Sequence, residues 1–183
     1  MDRASLILRY AAGYDAVTNA LVDISNAELD HRPAPHEWTG REIVHHLADS
    51  ETNSYVRLRM LLATPDYVVQ PYDQDEFAAS PLLRYDRPIE VSLAVLRAVR
   101  ASSLELLEGI DDDDLQRGGS HPEHDAPYTL GLWLQLYADH PHDHADQIRA
   151  VRRDHAEAIH LRSGDGDPPA AIRHLPRTAP SRR

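Results

Sequence analysis

Cysteine is absent from the 183 residues of this sequence, so the chain has no disulfide, no thiolate metal site and no cysteine nucleophile of its own. Any transition-metal site must therefore use imidazole nitrogen and carboxylate oxygen. Lysine is absent too, so all 19 basic residues are arginine. Apolar runs such as residues 130–134 fall far short of the roughly 20 residues that a membrane span needs. We expect a soluble protein with no membrane partner.

Basic residues are scarce relative to acidic ones, and 30 Asp and Glu leave a net charge of -11 and a pI near 5.4. Proteins that bind phosphate backbones normally carry a basic patch instead. Nucleic acid is therefore not expected as a partner. The first five residues carry mixed charge and lead into an amphipathic pattern, without the basic and apolar regions of a signal peptide. We expect a cytoplasmic protein.

Hydrophobic periodicity predicts four long amphipathic helices. Capping-box patterns, in which Ser or Thr precedes Glu by three positions, mark helix starts at Ser25 and Thr39, and Thr129 is placed to cap the last helix. Residues 120–127 are polar and are predicted to form a loop. The four long helices are expected at about residues 2–22, 40–64, 88–107 and from 130 to beyond 151.

A long connection separates the second predicted helix from the third. Residues 66–87 lack a regular apolar period, and prolines occur within this connection and at both of its ends. A crossover of this length lets two successive helices run parallel. The fold class is therefore all-α, a four-helix bundle with a long crossover between helices 2 and 3. Residues 1–160 are expected to form this one domain, and residues 161–183, rich in Pro, Gly and Arg, a disordered tail.

Three of the chain's 12 histidines lie within five positions, at 140, 142 and 144. On a helix, His140 and His144 share a face, which lets two imidazoles reach one metal ion, whereas His142 points elsewhere. About 0.8 such pairs are expected by chance in a chain with this many histidines, so a third ligand is required. On a helical wheel of the second helix, His46 lies in a polar seam at the edge of the apolar stripe, and His45 is rotated away.

His46, His140 and His144 are thus candidate ligands of a divalent metal, with at least one coordination position left for water or substrate. Zinc is the first choice on ligand type, and nickel is chemically allowed. The alternative is that the three histidines pack as ordinary core residues. Pro141 falls inside the last helix, where it removes a backbone hydrogen bond at a cost of about 3 kcal/mol. A kink is expected there.

Two acidic residues of the second helix are candidate proton acceptors in catalysis, Glu51 and Asp49. Glu51 falls inside the apolar stripe, where a carboxylate needs a partner, and is better suited to orient a metal ligand. Asp49 is better suited to face solvent. Polar groups of a substrate or cofactor could be held by Asn53, Tyr55 and Arg57, although ordinary helix-surface contacts explain these three equally well.

Residues 38–50, with the sequence Trp-Thr-Gly-Arg-Glu-Ile-Val-His-His-Leu-Ala-Asp-Ser, resemble the second helix of the DinB superfamily, and especially its YfiT-like branch. The resemblance continues in residues 53–57, 70–73, 121–122 and 137–148. It implies an up-down-down-up four-helix bundle, often dimeric, whose metal is held by one histidine of the second helix and an HxxxH pair of the last. These positions correspond to His46, His140 and His144. Pro141 departs from the family pattern.

Members of that branch are described as metal-dependent hydrolases and are related to bacillithiol S-transferases. The resemblance therefore implies an enzyme in which a metal activates water, or a low-molecular-weight thiol cofactor, for attack on a small electrophilic substrate. A homodimer is the expected assembly. The alternative is a non-catalytic metal- or ligand-binding bundle with a role in stress.

Overall fold

The computed structural model describes residues 1–162, most of which are helical. The four long helices lie within a few residues of their predicted bounds, and two short helices join them. The helices are α1 (Arg3–Ala20), α2 (Asn26–Leu29), α3 (Gly40–Ala63), α4 (Gln74–Ala79), α5 (Glu90–Leu107) and α6 (Leu130–Arg162). Residues 163–183 of the predicted tail lie outside the described residues, so the tail stays a prediction.

The predicted helix starts have the hydrogen bonds that their sequences indicate. Ser25 and Thr39 each form a complete capping box, with Glu28 and Glu42 respectively. Thr129 accepts a hydrogen bond from the backbone N–H of Leu132 at 3.1 Å, at the first turn of α6. These caps satisfy backbone N–H groups that the first turn of a helix leaves without partners.

The first and last helices of the bundle run parallel. Arg9 of α1 is paired with Asp139 of α6, and Arg149 farther along α6 donates to the carbonyl of Ala16. Residue numbers therefore rise together along the two helices. Four helices joined only by short hairpins would alternate in direction, and the first and last would be antiparallel. A parallel first and last helix therefore requires that two successive helices run in the same direction.

The second long helix, α3, is antiparallel to α6. His46 lies beside His140, whereas the indole of Trp133 donates to the carbonyl of Ser54 at 3.3 Å. Helix α5 runs parallel to α3, as seen in the contacts of His45 with Ser92, Glu51 with Arg100 and Arg59 with Ser102. The bundle is thus up-down-down-up, and the long crossover between α3 and α5 makes that order possible.

The expectation of a loop at residues 120–127 is wrong, because a small sheet forms there. Its strands are β1 (Tyr67–Val68), β2 (Gly118–His121) and β3 (His124–Thr129), with β1 parallel and β3 antiparallel to β2. Polar residues and the Gly118-Gly119 pair gave no strand signal. Glycine is required because a Cβ at Gly119 would lie 1.7 Å from the carbonyl oxygen of Tyr67. The sheet holds the crossover against the start of α6.

A buried polar layer divides the bundle core into two apolar clusters. One cluster includes Tyr10, Leu58, Leu107 and Leu134, and the other includes Val17, Leu47, Leu96 and Ile148. Between the clusters, most of the buried residues on each helix are small or polar. They include Gly13 of α1, Ser50, Glu51 and Ser54 of α3, Arg100 and Ser103 of α5, and His140 and Pro141 of α6.

Candidate metal centre

Three imidazoles converge where α3 faces α6. The Nε2 atom of His140 lies 3.2 Å from Nε2 of His46 and 3.1 Å from Nε2 of His144. One nitrogen from each of the three rings lies within 4.8 Å of the others. The four-residue spacing of His140 and His144 places both on one face of α6, and the antiparallel packing of α3 supplies His46 opposite them.

The electrostatics of this cluster favour neutral rings. Burial, together with the neighbouring imidazoles, lowers the pKa of His46 to about 2. Burial and the proximity of His140 likewise lower the pKa of His144 to about 3. At neutral pH both rings are uncharged, so each keeps a lone pair on one nitrogen, which is the form that binds a metal.

The donor set fits a divalent cation. Imidazole nitrogens bound to zinc at about 2.0–2.1 Å in tetrahedral geometry lie about 3.3 Å apart. The two separations from His140, 3.1 and 3.2 Å, are close to that value, and all three nitrogens lie within 4.8 Å of one another. A cation bound among the three Nε2 atoms would take one lone pair from each neutral ring, with the proton of each ring on Nδ1.

A glutamine behind His144 fixes the orientation of this ring. The Nδ1–H of His144 donates to Oε1 of Gln147 at 2.9 Å. Because Nδ1 carries the proton, Nε2 carries the lone pair that faces the cluster. Gln147 was not identified from the sequence, although it lies one turn from His144 and its side chain could have been placed from that spacing.

A buried carboxylate lies behind His140. Oε1 of Glu51 is 3.8 Å from Nδ1 of His140 and accepts a hydrogen bond from Arg100 at 2.5 Å. Glu51 is 1% exposed, and neither its Oε2 nor Nδ1 of His140 has a hydrogen-bond partner. A small movement would join these two groups, as in the carboxylate–histidine–metal arrangement that orients many ligands. The partner that a buried carboxylate needs is Arg100, which the sequence did not reveal.

The same arginine accommodates Pro141. Because proline has no N–H, the carbonyl of Tyr137 lacks its usual partner within the helix. Arg100 donates to that carbonyl at 3.2 Å and also to the carbonyl of Tyr10. Helix α6 continues without a break through Pro141. The departure from the family pattern is therefore compensated from α5, and His140 still faces the cluster.

A cavity of about 640 Å³ opens beside the three histidines. Of the three histidines, His140 lines this cavity. The side chain of His140 is 22% exposed, whereas His46 is 1% exposed. The other lining residues come from α3, the crossover, the sheet and α6. They are Ser50, Arg57, Tyr72, Gln74, His121, Ala126, Tyr128, Leu132, Leu136, Tyr137 and Asp143.

Of the predicted substrate-binding residues, Arg57 lines this cavity and the other two do not. Asn53 donates to the backbone carbonyl of Asp49 at 2.9 Å. The ring of Tyr55 is covered by the guanidinium of Arg59, 3.3 Å from the ring centroid. Their positions agree with the plainer alternative of helix-surface contacts, and a role in binding stays a prediction.

The two predicted proton acceptors also lie outside the cavity lining. Asp49 accepts a hydrogen bond from the hydroxyl of Tyr85 at 2.6 Å, so its carboxylate faces the crossover. Glu51 lies near Nδ1 of His140 and does not line the cavity. The geometry favours a positioning role for Glu51, and proton transfer by either residue stays a prediction.

The neighbouring histidines point away from the cluster, as the helical wheels indicate. His142 contacts the carbonyl of Arg9 on α1 at 3.0 Å. His45 is buried against α5, where its ring nitrogens contact the hydroxyl of Ser92 at 2.8 Å and the carbonyl of Arg87 at 3.0 Å. The pattern therefore separates three inward histidines from two that bind other elements.

Trp38 is a site residue that pattern analysis missed. Its ring lies 4.6 Å from that of His46 and is stacked 6.3 Å from that of His144, measured between centroids. Trp38 precedes α3, so helical periodicity gives no orientation for it. Its presence in the motif that resembles the DinB second helix was the one available signal. The indole covers the cluster with an apolar surface.

Within residues 1–162, no helix is both long enough and apolar enough to cross a bilayer. This agrees with the lack of long apolar runs in the sequence.

Comparisons with known proteins give a consistent result. A sequence profile described as the DinB superfamily matches residues 9–148. A protein of Oceanobacillus iheyensis, named "Putative metal-dependent hydrolase OB0782", is 34% identical over 133 residues, which are 73% of this chain and 76% of that protein. A Bacillus cereus protein, named "Putative metal-dependent hydrolase", is 31% identical over 137 residues, which are 75% of this chain and 78% of that protein.

The fold also matches a solved structure. YfiT from Bacillus subtilis, described as "a probable metal-dependent hydrolase with an unusual four-helix bundle topology", superposes with a TM-score of 0.76 at 28% identity. The match covers 82% of this chain and 86% of YfiT. The segments that carry the three histidines lie within residues 9–148, which the family profile matches.

Proposed function

Because this chain belongs to the DinB superfamily, we propose that it is a metal-dependent hydrolase of small molecules, with His46, His140 and His144 as the metal ligands. The observation that carries the proposal is the convergence of three imidazole nitrogens beside a 640 Å³ cavity. Cavities of this size accommodate small organic molecules. Three protein ligands leave a coordination position open, which is typical of catalytic and not of structural zinc sites.

A zinc or nickel ion held there would act as a Lewis acid and would lower the pKa of a coordinated water or thiol. The protein's own contribution is to position its donors and to limit the approach of water. Gln147 holds the tautomer of His144, and the Arg100–Glu51 pair lies behind His140. Trp38 packs against the rings of His46 and His144, whereas His140 lines the cavity.

The nucleophile that attacks the substrate is either water or a thiol. With no cysteine in the chain, any thiol must be a separate small molecule. The cavity has room for both a low-molecular-weight thiol and an electrophile, which supports thiol S-transfer as a second candidate. We further propose a homodimer, whose mass sedimentation equilibrium would measure.

Metal analysis of the full-length protein tests the three-histidine site. Wild type is expected to hold about one metal ion per chain, and His144→Ala to lose most of it, because two donors bind far more weakly than three. His142→Ala is the matched control, since His142 lies on the same helix but contacts Arg9. Equal metal content in wild type and His144→Ala would overturn the site.

Turnover assays separate the candidate reactions. Metal-loaded protein is incubated with a panel of esters and amides, and then with a generic electrophile and a panel of small thiols. Ester or amide cleavage supports the hydrolase, and thiol consumption without cleavage supports the transferase. A metal-loaded protein with no turnover in either panel would favour the non-catalytic binding bundle.

A further inference from the structure

Arg57 is a buried arginine without an acidic partner. Three arginines are buried among the described residues, namely Arg41, Arg57 and Arg100. Arg41 is paired with Asp30 and Arg100 with Glu51, both at 2.5 Å. Arg57 is 9% exposed and forms no ion pair with any residue of 1–162. A buried charge normally requires an opposite charge, so this exception calls for a partner outside the protein.

The hydrogen bonds of Arg57 go to neutral groups. Its guanidinium donates to the backbone carbonyl of Gln70 at 2.8 Å and to the hydroxyl of Tyr137 at 3.3 Å. Tyr128 also contacts Arg57, and a phenol with an ordinary pKa of about 10 is neutral at physiological pH. None of these contacts cancels the positive charge. A guanidinium has five N–H donors, and these contacts leave some of them for a ligand.

The unpaired charge faces the cavity next to the metal centre. Arg57 lines the cavity together with Tyr72, whose pKa burial raises to about 12. Tyr137 links the two sites, since it accepts a hydrogen bond from Arg57 and its ring lies 5.8 Å from the ring of His140. A ligand that reaches Arg57 is therefore one side chain away from the histidine cluster.

The outer part of the cavity is mainly apolar. Leu132 and Leu136 of α6 line it although they are 38% and 49% exposed, and Ala126 of β3 lies with them. Asp143 is an exposed acid that also lines the cavity. The cavity thus offers a cationic, hydroxyl-rich region and an apolar one, which suits a ligand with one charged end and an apolar body.

We propose that Arg57 binds the carboxylate of a small organic monoanion whose apolar part packs against Leu132 and Leu136. The inference deepens the proposed function and rests on it for identifying the cavity as the substrate site. A single arginine matches one negative charge, and its planar fork suits a carboxylate. A phosphate dianion would leave a charge unpaired in a buried region, which is unfavourable.

Matched acid and amide ligands test this inference. Full-length zinc-loaded protein is titrated calorimetrically with 3-phenylpropionate, with its neutral amide and with phenyl phosphate. Wild type is expected to bind the acid at least ten-fold more tightly than the amide, and Arg57→Gln is expected to bring that ratio close to one. Arg59→Gln is the control, because Arg59 lies on the same helix but stacks on Tyr55 and does not line the cavity.

The outcomes discriminate between sources of binding. If the acid preference persists in Arg57→Gln, the carboxylate binds the zinc alone and the inference is overturned. Tighter binding of phenyl phosphate than of the acid would also overturn it. If circular dichroism shows that Arg57→Gln does not fold, Arg57→Lys replaces it. The ratio of acid to amide affinity is then expected to fall at least three-fold, and an unchanged ratio overturns the inference. Because binding is measured without turnover, the result stands whether or not the protein proves to be a hydrolase.

Discussion

A single side-chain amide decides which nitrogen of His144 faces the metal centre. Gln147 accepts a hydrogen bond from Nδ1–H of His144 at 2.9 Å, and this leaves Nε2 unprotonated toward His140 and His46. Without the amide, the neutral ring is free to carry its proton on either nitrogen and to rotate. The free energy of ordering the ring would then have to come from metal binding.

Replacing Gln147 by Leu is expected to weaken zinc binding by about 10- to 100-fold, since partners behind a metal ligand typically have effects of this size. Gln147→Glu should restore affinity, because its carboxylate also accepts from Nδ1–H. Competition with a chromophoric chelator measures the affinities. Asp146→Ala is the control, as its exposed side chain pairs with Arg149. Equal affinities for Gln147→Leu and wild type would contradict the positioning role.

At this scale, what the sequence could predict depended on how far apart the partners lie along the chain. The periodicity of α3 and α6 selected the inward histidines, because the direction of a helical side chain follows from its position alone. Arg100 could not be found in this way, since its contact with Glu51 spans 49 positions between two helices. Tyr55 was proposed from its chemistry without a direction, whereas Asn53 was placed by the helical wheel in the polar seam of His46, and neither residue lines the cavity.

At the scale of elements, α1, α5 and α6 meet tightly around Pro141. Arg100 of α5 reaches the carbonyls of Tyr137 on α6 and Tyr10 on α1. The close approach depends on Gly13 of α1, where an added Cβ would lie 2.5 Å from Cγ of Pro141 and 2.6 Å from a guanidinium nitrogen of Arg100. The rigid ring and the buried arginine leave no simple way to make room.

Gly13→Ala is therefore expected to destabilise the protein. Alanine in a helix interior gains about 1 kcal/mol over glycine, whereas overpacking a core typically costs 1–3 kcal/mol or more. At separations near 2.5 Å the clash should exceed the gain. Urea unfolding of the metal-free protein measures the difference. Gly40→Ala is the control, since its Cβ would meet Leu29 at an ordinary 3.6 Å. A Gly13→Ala protein as stable as wild type would refute this packing.

The elements that could be predicted are those with strong local signals. The helix starts at Ser25, Thr39 and Thr129 have caps within three residues, so their positions follow from local sequence. The strands at Gly118–His121 and His124–Thr129 contain few apolar residues and owe their pairing to each other and to the crossover. Such strands are stabilised by non-local contacts, which a local pattern does not contain.

At the scale of the whole molecule, the buried polar layer makes the core depend on the state of its histidines. His46 and His144 lie where α3 meets α6, bordering the apolar cluster that contains Ala145, Ile43 and Leu47. Burial holds the pKa of both histidines far below the value of 6.5 for an exposed imidazole. In the folded protein they stay neutral in mild acid, whereas in the unfolded chain they become charged.

The free energy of unfolding of the metal-free protein should consequently fall as the pH falls below about 6.5. Between pH 6.5 and 5 the unfolded chain binds protons that the folded protein excludes, so each histidine contributes a loss of up to about 1.4 kcal/mol per pH unit. Above pH 6.5 the contribution is complete and the curve flattens. Urea titrations at several pH values in the presence of a chelator measure the slope.

In the His46→Ala variant, the free energy of unfolding should change less steeply with pH over the same window. His160→Ala is the control and should match wild type, because His160 is an exposed residue near the end of α6. The slope and not the absolute stability is compared, because removing a buried ring also leaves a cavity that destabilises at every pH. The window ends at pH 5 so that protonation of carboxylates does not contribute. A slope in His46→Ala equal to that of wild type would mean that His46 is not held neutral by the fold.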